Sequence, residues 1–491
     1  MNKVEEVRLK VAYWLSFFTL IVLSILSIIS YKERTLFVDS SWFITNILHT
    51  KSFYFMEMRF GAFITQLGTI AAIHLGLSLK SILIIFSISF YIFYLFSFWA
   101  IGGLMKQKKL AILFVFYLTL FISDGYFCTV GEIFQGITWM LLFFALYFQK
   151  RWKHNFWSHL LMISFAFLGL ICHMIIIFPF AFLWLFINLE TTKLKVLIEN
   201  KKFWIYSAIL LVLAYTRYYV SNLGWYDAMK LEPVKQLSIA SVINAFKSGH
   251  AKTFLELLMS NYWIVVAISL VSILFMIKQK KWIQTSLYLI FVLGYFALVC
   301  VVYPDSYDRN LLFYFENEYA PLSIILAAPF VWYIFKFQVN KKIISIIFIS
   351  IFSIRLFFIF DAYQFFHHRF KNLQSINNTL YDQNIHKALI IAEEQAANAY
   401  FVMSWGLPVE SMLLSKLENK NPVVTFKIVP PDFKVQNIAD SFYSCFTILP
   451  QSFLNKDYIL IDSKQEYKVI EGLNNYKLSN NQENYKSSNK N

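Results

Sequence analysis

The chain is a succession of apolar runs. Between residues 11 and 360, hydrophobic stretches of roughly 15–25 residues follow one another, separated by short charged connections. A helix needs roughly 20 such residues to cross a hydrocarbon core about 30 Å thick. In lipid the backbone must satisfy its own N–H and C=O groups, so runs of this kind fold as helices. Candidates lie at 11–30, 60–79, 80–104, 109–123, 134–149, 158–171, 174–189, 203–220, 261–277, 283–302, 319–337 and 343–360. They are continuous rather than alternating, which excludes a transmembrane β-barrel. The expected fold is an all-α polytopic membrane protein, with about 11–12 transmembrane or re-entrant helices and a small C-terminal α/β extracytoplasmic domain. Composition agrees, since 15% of the residues are charged where a soluble chain has about one quarter.

The net charge of +15 is concentrated in short connections: Lys106/Lys108/Lys109, Lys150–Lys153, Lys193–Lys202, Lys278–Lys281 and Lys336–Lys342. Lysine-rich short loops remain in the cytoplasm. The chain is therefore expected in the cytoplasmic membrane, multi-pass, with a cytoplasmic N-terminus and membrane lipids as its surroundings. No extended basic soluble face exists to bind nucleic acid. The first run has no small-x-small cleavage site and is followed by Tyr31-Lys32-Glu33-Arg34, which reads as a retained span. The segment FGAFITQLGTIAAIHLG holds three glycines, Gln66 and His74. If it crossed, the lysines at 106–109 would land outside, so it is expected to be interfacial or re-entrant. Cys128, Cys172, Cys300 and Cys445 are too scattered for a zinc or disulfide framework.

This topology puts the loops 31–59, 124–133, 221–260 and 303–318 on the outer face, together with everything after about 361. Those loops carry the acids. Asp39, in FVDSSWFITNIL, opens a stretch that reads as an interfacial amphipathic helix. It is either a cap that accepts free backbone N–H groups or a functional carboxylate. In KSFYFMEMRF, Glu57 and Arg59 form either an interfacial ion pair or, through the arginine fork, a phosphate contact. Glu132 in TVGEIF precedes an apolar helix, where an acid favours the helix dipole, yet it lies deeper than a cap requires. His173 interrupts an apolar hairpin, as hydrogen-bonded structure or facing a cavity. Arg309 stands out of the acidic loop YPDSYDRNLLFYFENEY as a second phosphate contact.

Three units are expected: a transmembrane domain over residues 1–360, an extracytoplasmic α/β domain over 361–475 and a disordered tail over 476–491. In the second, KALIIA, NPVVTFKIV and KDYILID read as strands, and AEEQAANAYF and VESMLLSKLENK as helices.

The order of Asp39 after the first span, an interfacial stretch to Arg59, Glu132 in the next outer loop and a non-membrane C-terminal region resembles the GT-C superfamily of integral-membrane glycosyltransferases. The protein O-mannosyltransferase and aminoarabinose-transferase branches are nearest in layout. The resemblance covers about 1–360, and its motif is an acid at the right place, twice. It departs in two ways: Ser40-Ser41 follow Asp39 where an acidic pair is usual, and YFMEMRFGAF lacks the lysine-and-proline signature of the aminoarabinose branch. The resemblance implies a sugar donor on polyprenyl phosphate and a glycan, lipid or protein acceptor. It also implies inverting transfer with Asp39 as base, Glu132 orienting the acceptor or a divalent cation, and Arg59 or Arg309 on the phosphate. A lipid-linked polysaccharide polymerase or ligase, and a transporter or flippase, are the competing readings.

Overall fold

A computed structural model describes residues 3–149, 155–305, 312–337, 339–436, 438–474 and 476–478. Arg309, the cluster Lys150–Lys153 and residues 479–491 of the expected tail lie outside the described residues. Among the described residues, seven helices are long and apolar enough to cross a membrane: Lys3–Ile29, Leu79–Leu104, Met174–Thr191, Lys201–Ser221, Trp282–Val302, Leu312–Lys336 and Lys341–Asp382. Gly249–Ser260 and Trp263–Lys278, which meet at 87°, make an eighth when counted as one broken span. The remaining candidates are shorter helices, including Phe60–His74, Glu132–Tyr147 and Phe156–Cys172. The run 109–123 is helical only over Lys108–Tyr117. Beyond it the backbone unwinds, and Glu316 accepts hydrogen bonds from the Ser123 and Gly125 N–H groups at 2.8 and 2.6 Å.

The bundle is layered. The most apolar stretch of Leu312–Lys336 is wholly buried, as expected where a helix has no polar face, and its acids lie in the first turns at Glu316 and Glu318. Lys201–Ser221 lies at the periphery: Phe203, Tyr206, Arg217 and Ser221 face inward, while Trp204, Leu211, Val212 and Tyr215 are exposed. Hydroxyls inside the first helix bond back to carbonyls one turn earlier, as Ser16 does to Ala12 and Ser24 to Leu20. That satisfies them without a second chain segment.

Among the described residues, Lys109, Lys281 and Lys336, from three of the lysine-rich connections, gather at one end. Lys109 Nζ lies 3.8 Å from Glu5 Oε1, and Lys281 and Lys336 reach Glu190 at 3.2 and 2.5 Å. Arg8 Nη1 donates to the Val339 carbonyl at 3.0 Å. From this end the 27-residue first helix advances about 40 Å at 1.5 Å per residue, so Asp39 sits at the opposite end. The segment 60–74 begins and ends at that same opposite end. Gln66 exchanges hydrogen bonds with the Tyr54 backbone at 2.8 and 2.9 Å, and His74 Nε2 is 3.0 Å from the Lys51 carbonyl oxygen. The segment's middle and end thus return to residues 51–54, as an interfacial or re-entrant segment does. Single cysteines at Lys51 and Lys80 should therefore react with a membrane-impermeant maleimide from the same side; labelling from opposite sides would refute this path.

The last long helix runs unbroken from Lys341 to Asp382, across the boundary expected at 360/361. Beyond it a three-stranded parallel sheet has Lys387–Ile391 at its centre, flanked by Thr425–Val429 and Lys468–Glu471. Helices Glu394–Tyr400 and Leu407–Leu417 lie where they were expected. KDYILID is not a strand. It starts as a turn, with Ile459 N–H on the Asn455 carbonyl, and it meets the sheet region through Val423 N–H on the Leu460 carbonyl.

Val38–Thr50 is a helix, but it does not lie half-exposed at an interface. Every residue from Ser40 to Leu48 is buried. The C-terminal region covers it: Trp42 stacks on Phe453 with ring centroids 6.2 Å apart and meets Phe446 edge-on at 5.6 Å.

Candidate functional site

Asp39 is the second residue of its helix and not its cap. Phe37 occupies the cap position and has no side-chain oxygen to offer. The free N–H of Val38 is instead taken at 2.7 Å by Glu410 Oε1, from the C-terminal region. Asp39 is therefore released from the capping role that the sequence allowed. Its carboxylate is partly buried and accepts no hydrogen bond among the described residues. Burial, and next the charge of Glu132, push its pKa up to about 7, although Arg59 pulls in the other direction.

Arg59 holds the centre. Its Nη1 lies 3.4 Å from Glu132 Oε2 and its Nη2 donates to Asp227 Oδ1 at 2.8 Å. Arg217 donates to the other Asp227 oxygen, and its Nη1 reaches the Glu57 carbonyl at 3.5 Å. Burial alone would raise the Asp227 carboxyl, but Arg59, His173 and Arg217 together hold it below its ordinary value. Burial would likewise lower the Arg59 guanidinium, and Glu132 and Asp227 reverse that. The Nε atoms of both arginines are buried without a partner among the described residues. Two charged donors remain unused, which is rare for buried polar groups.

Backbone approach sets Arg59 in place. At Gly61 a Cβ would lie 2.2 Å from the Leu168 carbonyl oxygen and 2.5 Å from Cys172 Sγ. Only glycine lets the Arg59 loop press this closely on the neighbouring helix. The Gly61 carbonyl also accepts from Trp139 Nε1 at 3.0 Å, which ties the loop to the helix headed by Glu132.

Aromatic side chains surround the charges. Tyr54, Tyr226 and Tyr314 all feel the Asp39 charge, as do Cys128 and Cys445. Lys230 lies over the rings of Tyr226 and Tyr303 at 5.6 and 4.3 Å. Chemically, the cluster offers a carboxylate that changes charge near neutrality beside two guanidinium groups with donors to spare.

Asp39, Arg59 and Glu132 are thus brought together. Glu57 contributes its carbonyl, while its Oε2 is buried without a partner among the described residues. His173 is structural first: its Nδ1 accepts from Ile175 N–H at 3.2 Å and starts the turn Met174–Ile176. No group of three His, Cys, Asp or Glu that could hold a metal is found among the described residues. All four cysteines are buried and free. Sequence reasoning missed Arg217 and Asp227 as site residues. The signal for Arg217 was present, because an arginine within the apolar run AILLVLAYTRYYV has to face a bundle interior or a cavity. The chain matches no protein-family model, no curated protein and no solved structure.

Proposed function

We propose that this chain is a membrane glycosyltransferase of the GT-C type, moving a sugar from a polyprenyl-phosphate-linked donor to an acceptor hydroxyl. One observation carries the reading: Asp39, unpartnered among the described residues and titrating near 7, stands within electrostatic range of Glu132 and Arg59 at the end of the bundle away from the lysines. Lysine sidedness puts that end outside the cytoplasm. A general base works best with a pKa near the working pH. In the transfer, Asp39 accepts the acceptor's hydroxyl proton and the freed oxygen bonds to the anomeric carbon. The bond from that carbon to the phosphate oxygen breaks, and its electron pair leaves with the lipid phosphate. Arg59 and Arg217 supply fixed positive charge for the leaving phosphate, which a pre-arranged cation does well in a low-dielectric site. Glu132 orients the acceptor and keeps Arg59 in place. A divalent cation is not required by this scheme. Envelope glycan and glycolipid profiles of cells carrying wild type or Asp39→Asn, at equal expression, test the reading. A missing or truncated product supports it, and an unchanged pattern refutes it.

The transporter reading draws on the 87° break between Ser260 and Trp263, since broken helices often mark ion sites. Here the break is already filled. Arg355 donates to the Asn261 carbonyl at 2.5 Å, and Tyr262 donates to Glu316.

A further inference from the structure

Besides covering the Trp42 face, the C-terminal region grips the turn before Asp39. Arg369, on the last long helix, grips Glu410 with both terminal nitrogens: Nη1 to Oε2 at 2.8 Å and Nη2 to Oε1 at 3.0 Å. Its Nε donates to the Val402 carbonyl at 2.9 Å and its Nη1 to the Leu36 carbonyl at 3.3 Å. The guanidinium also lies 5.0 Å from the Phe37 ring centroid. Glu410 then accepts the Val38 N–H, as described above. Both charged residues are fully buried.

Val38 needs this support. Its φ is +28°, an outlier for a β-branched residue. Such a conformation persists only where the surroundings over-determine it. Gly406 shows how close the contact is, because a Cβ there would lie 2.4 Å from Glu410 Oε1 and 2.8 Å from the Val38 Cα.

We propose that Glu410 and Arg369 are positioning residues of the site, a latch through which the C-terminal region fixes the first turn of the helix bearing Asp39. This rests on the catalytic reading of Asp39 for its meaning, but not for its test. Without the latch, the Val38 N–H loses its acceptor, the strained turn relaxes and Asp39 moves relative to Arg59 and Glu132.

The test reads Asp39 directly. Full-length protein in detergent is treated with a hydrophobic carbodiimide, which modifies protonated carboxyls, across a pH series. Modification of Asp39 is quantified by peptide mass spectrometry. The groups that bear on its titration are Glu132, Arg59, Tyr54, Tyr226, Tyr314, Cys128 and Cys445, and all are unchanged in the variants. Glu410→Ala and Gly406→Ala should each move the half-modification point down by a pH unit or more. Glu410→Gln, which retains an acceptor for Val38, should move it less. Equal profiles for wild type, Glu410→Ala and Gly406→Ala would overturn the latch. If Glu410→Ala does not fold, Gly406→Ala and Glu410→Gln carry the comparison. The glycan profile of Asp39→Asn reports separately on the catalytic reading, so a failed latch and a failed enzyme give different results.

Discussion

Asp39→Asn should abolish product formation without loss of stability. Removing a general base lowers a rate by roughly 10²–10⁴-fold, and asparagine cannot accept the proton. Stability should move in the other direction. The folded protein holds the Asp39 carboxyl near 7 against an ordinary value of 3.8, so between those values the folded state binds a proton that the unfolded chain has lost. Stability therefore falls as pH rises through this window, and above about 7 the full penalty of the buried charge applies. Asparagine carries no such penalty. The thermal midpoint of Asp39→Asn in detergent should match that of wild type below about pH 4 and exceed it above pH 7. Wild-type activity should rise with pH through about 7, as the base becomes deprotonated. A variant that is less stable than wild type at pH 8 would show Asp39 to be a structural partner.

The second large effect belongs to Arg217. It is 1% exposed and bonded to Asp227. Breaking a buried pair by removing one partner typically costs about 3–5 kcal/mol, because an uncompensated charge stays behind. Arg217→Met should lower the free energy of unfolding by up to that amount, reduced to the extent that Arg59 still neutralises Asp227, and the loss is read as a lower denaturation midpoint. Arg217→Met with Asp227→Asn removes both charges and should recover some of the loss. The two sites touch, so their effects should be strongly non-additive. A double variant as unstable as the sum of the singles would mean that the pair does not act as a unit.

Much of the candidate site was legible. Asp39, Glu132 and Arg59 were each chosen as charged residues flanking apolar runs, and the structure joins Arg59 to Glu132 and sets Asp39 in their field. The segment 60–74 was expected to be interfacial or re-entrant, and its hydrogen bonds back to Tyr54 and Lys51 suit that expectation. Where the reading fell short, the cause was long-range contact. Asp39 looked like a cap because local sequence offers nothing better, and the actual acceptor lies 372 residues from Val38. For Arg59 the local sequence offered an ion pair with its neighbour Glu57 or a phosphate contact, and the ion pair it makes is with Asp227 across 168 residues. The aromatic stretch after Asp39 looked interfacial because a single helix does not reveal what will cover it.

By itself the sequence determined the properties that each segment settles with its own solvent. Run length and apolarity made membrane helices, and lysine placement sorted the connections to one end. The alternation of short strands and helices announced two of the three strands of the parallel sheet after Asp382. Only the tertiary structure decided which charges meet. A buried ion pair exists because two distant segments close over it and exclude water, and neither half carries the other's address. That closure turned Asp39 from a helix cap into a free carboxylate. Glu410 and Arg369 took over the capping from the far end of the chain.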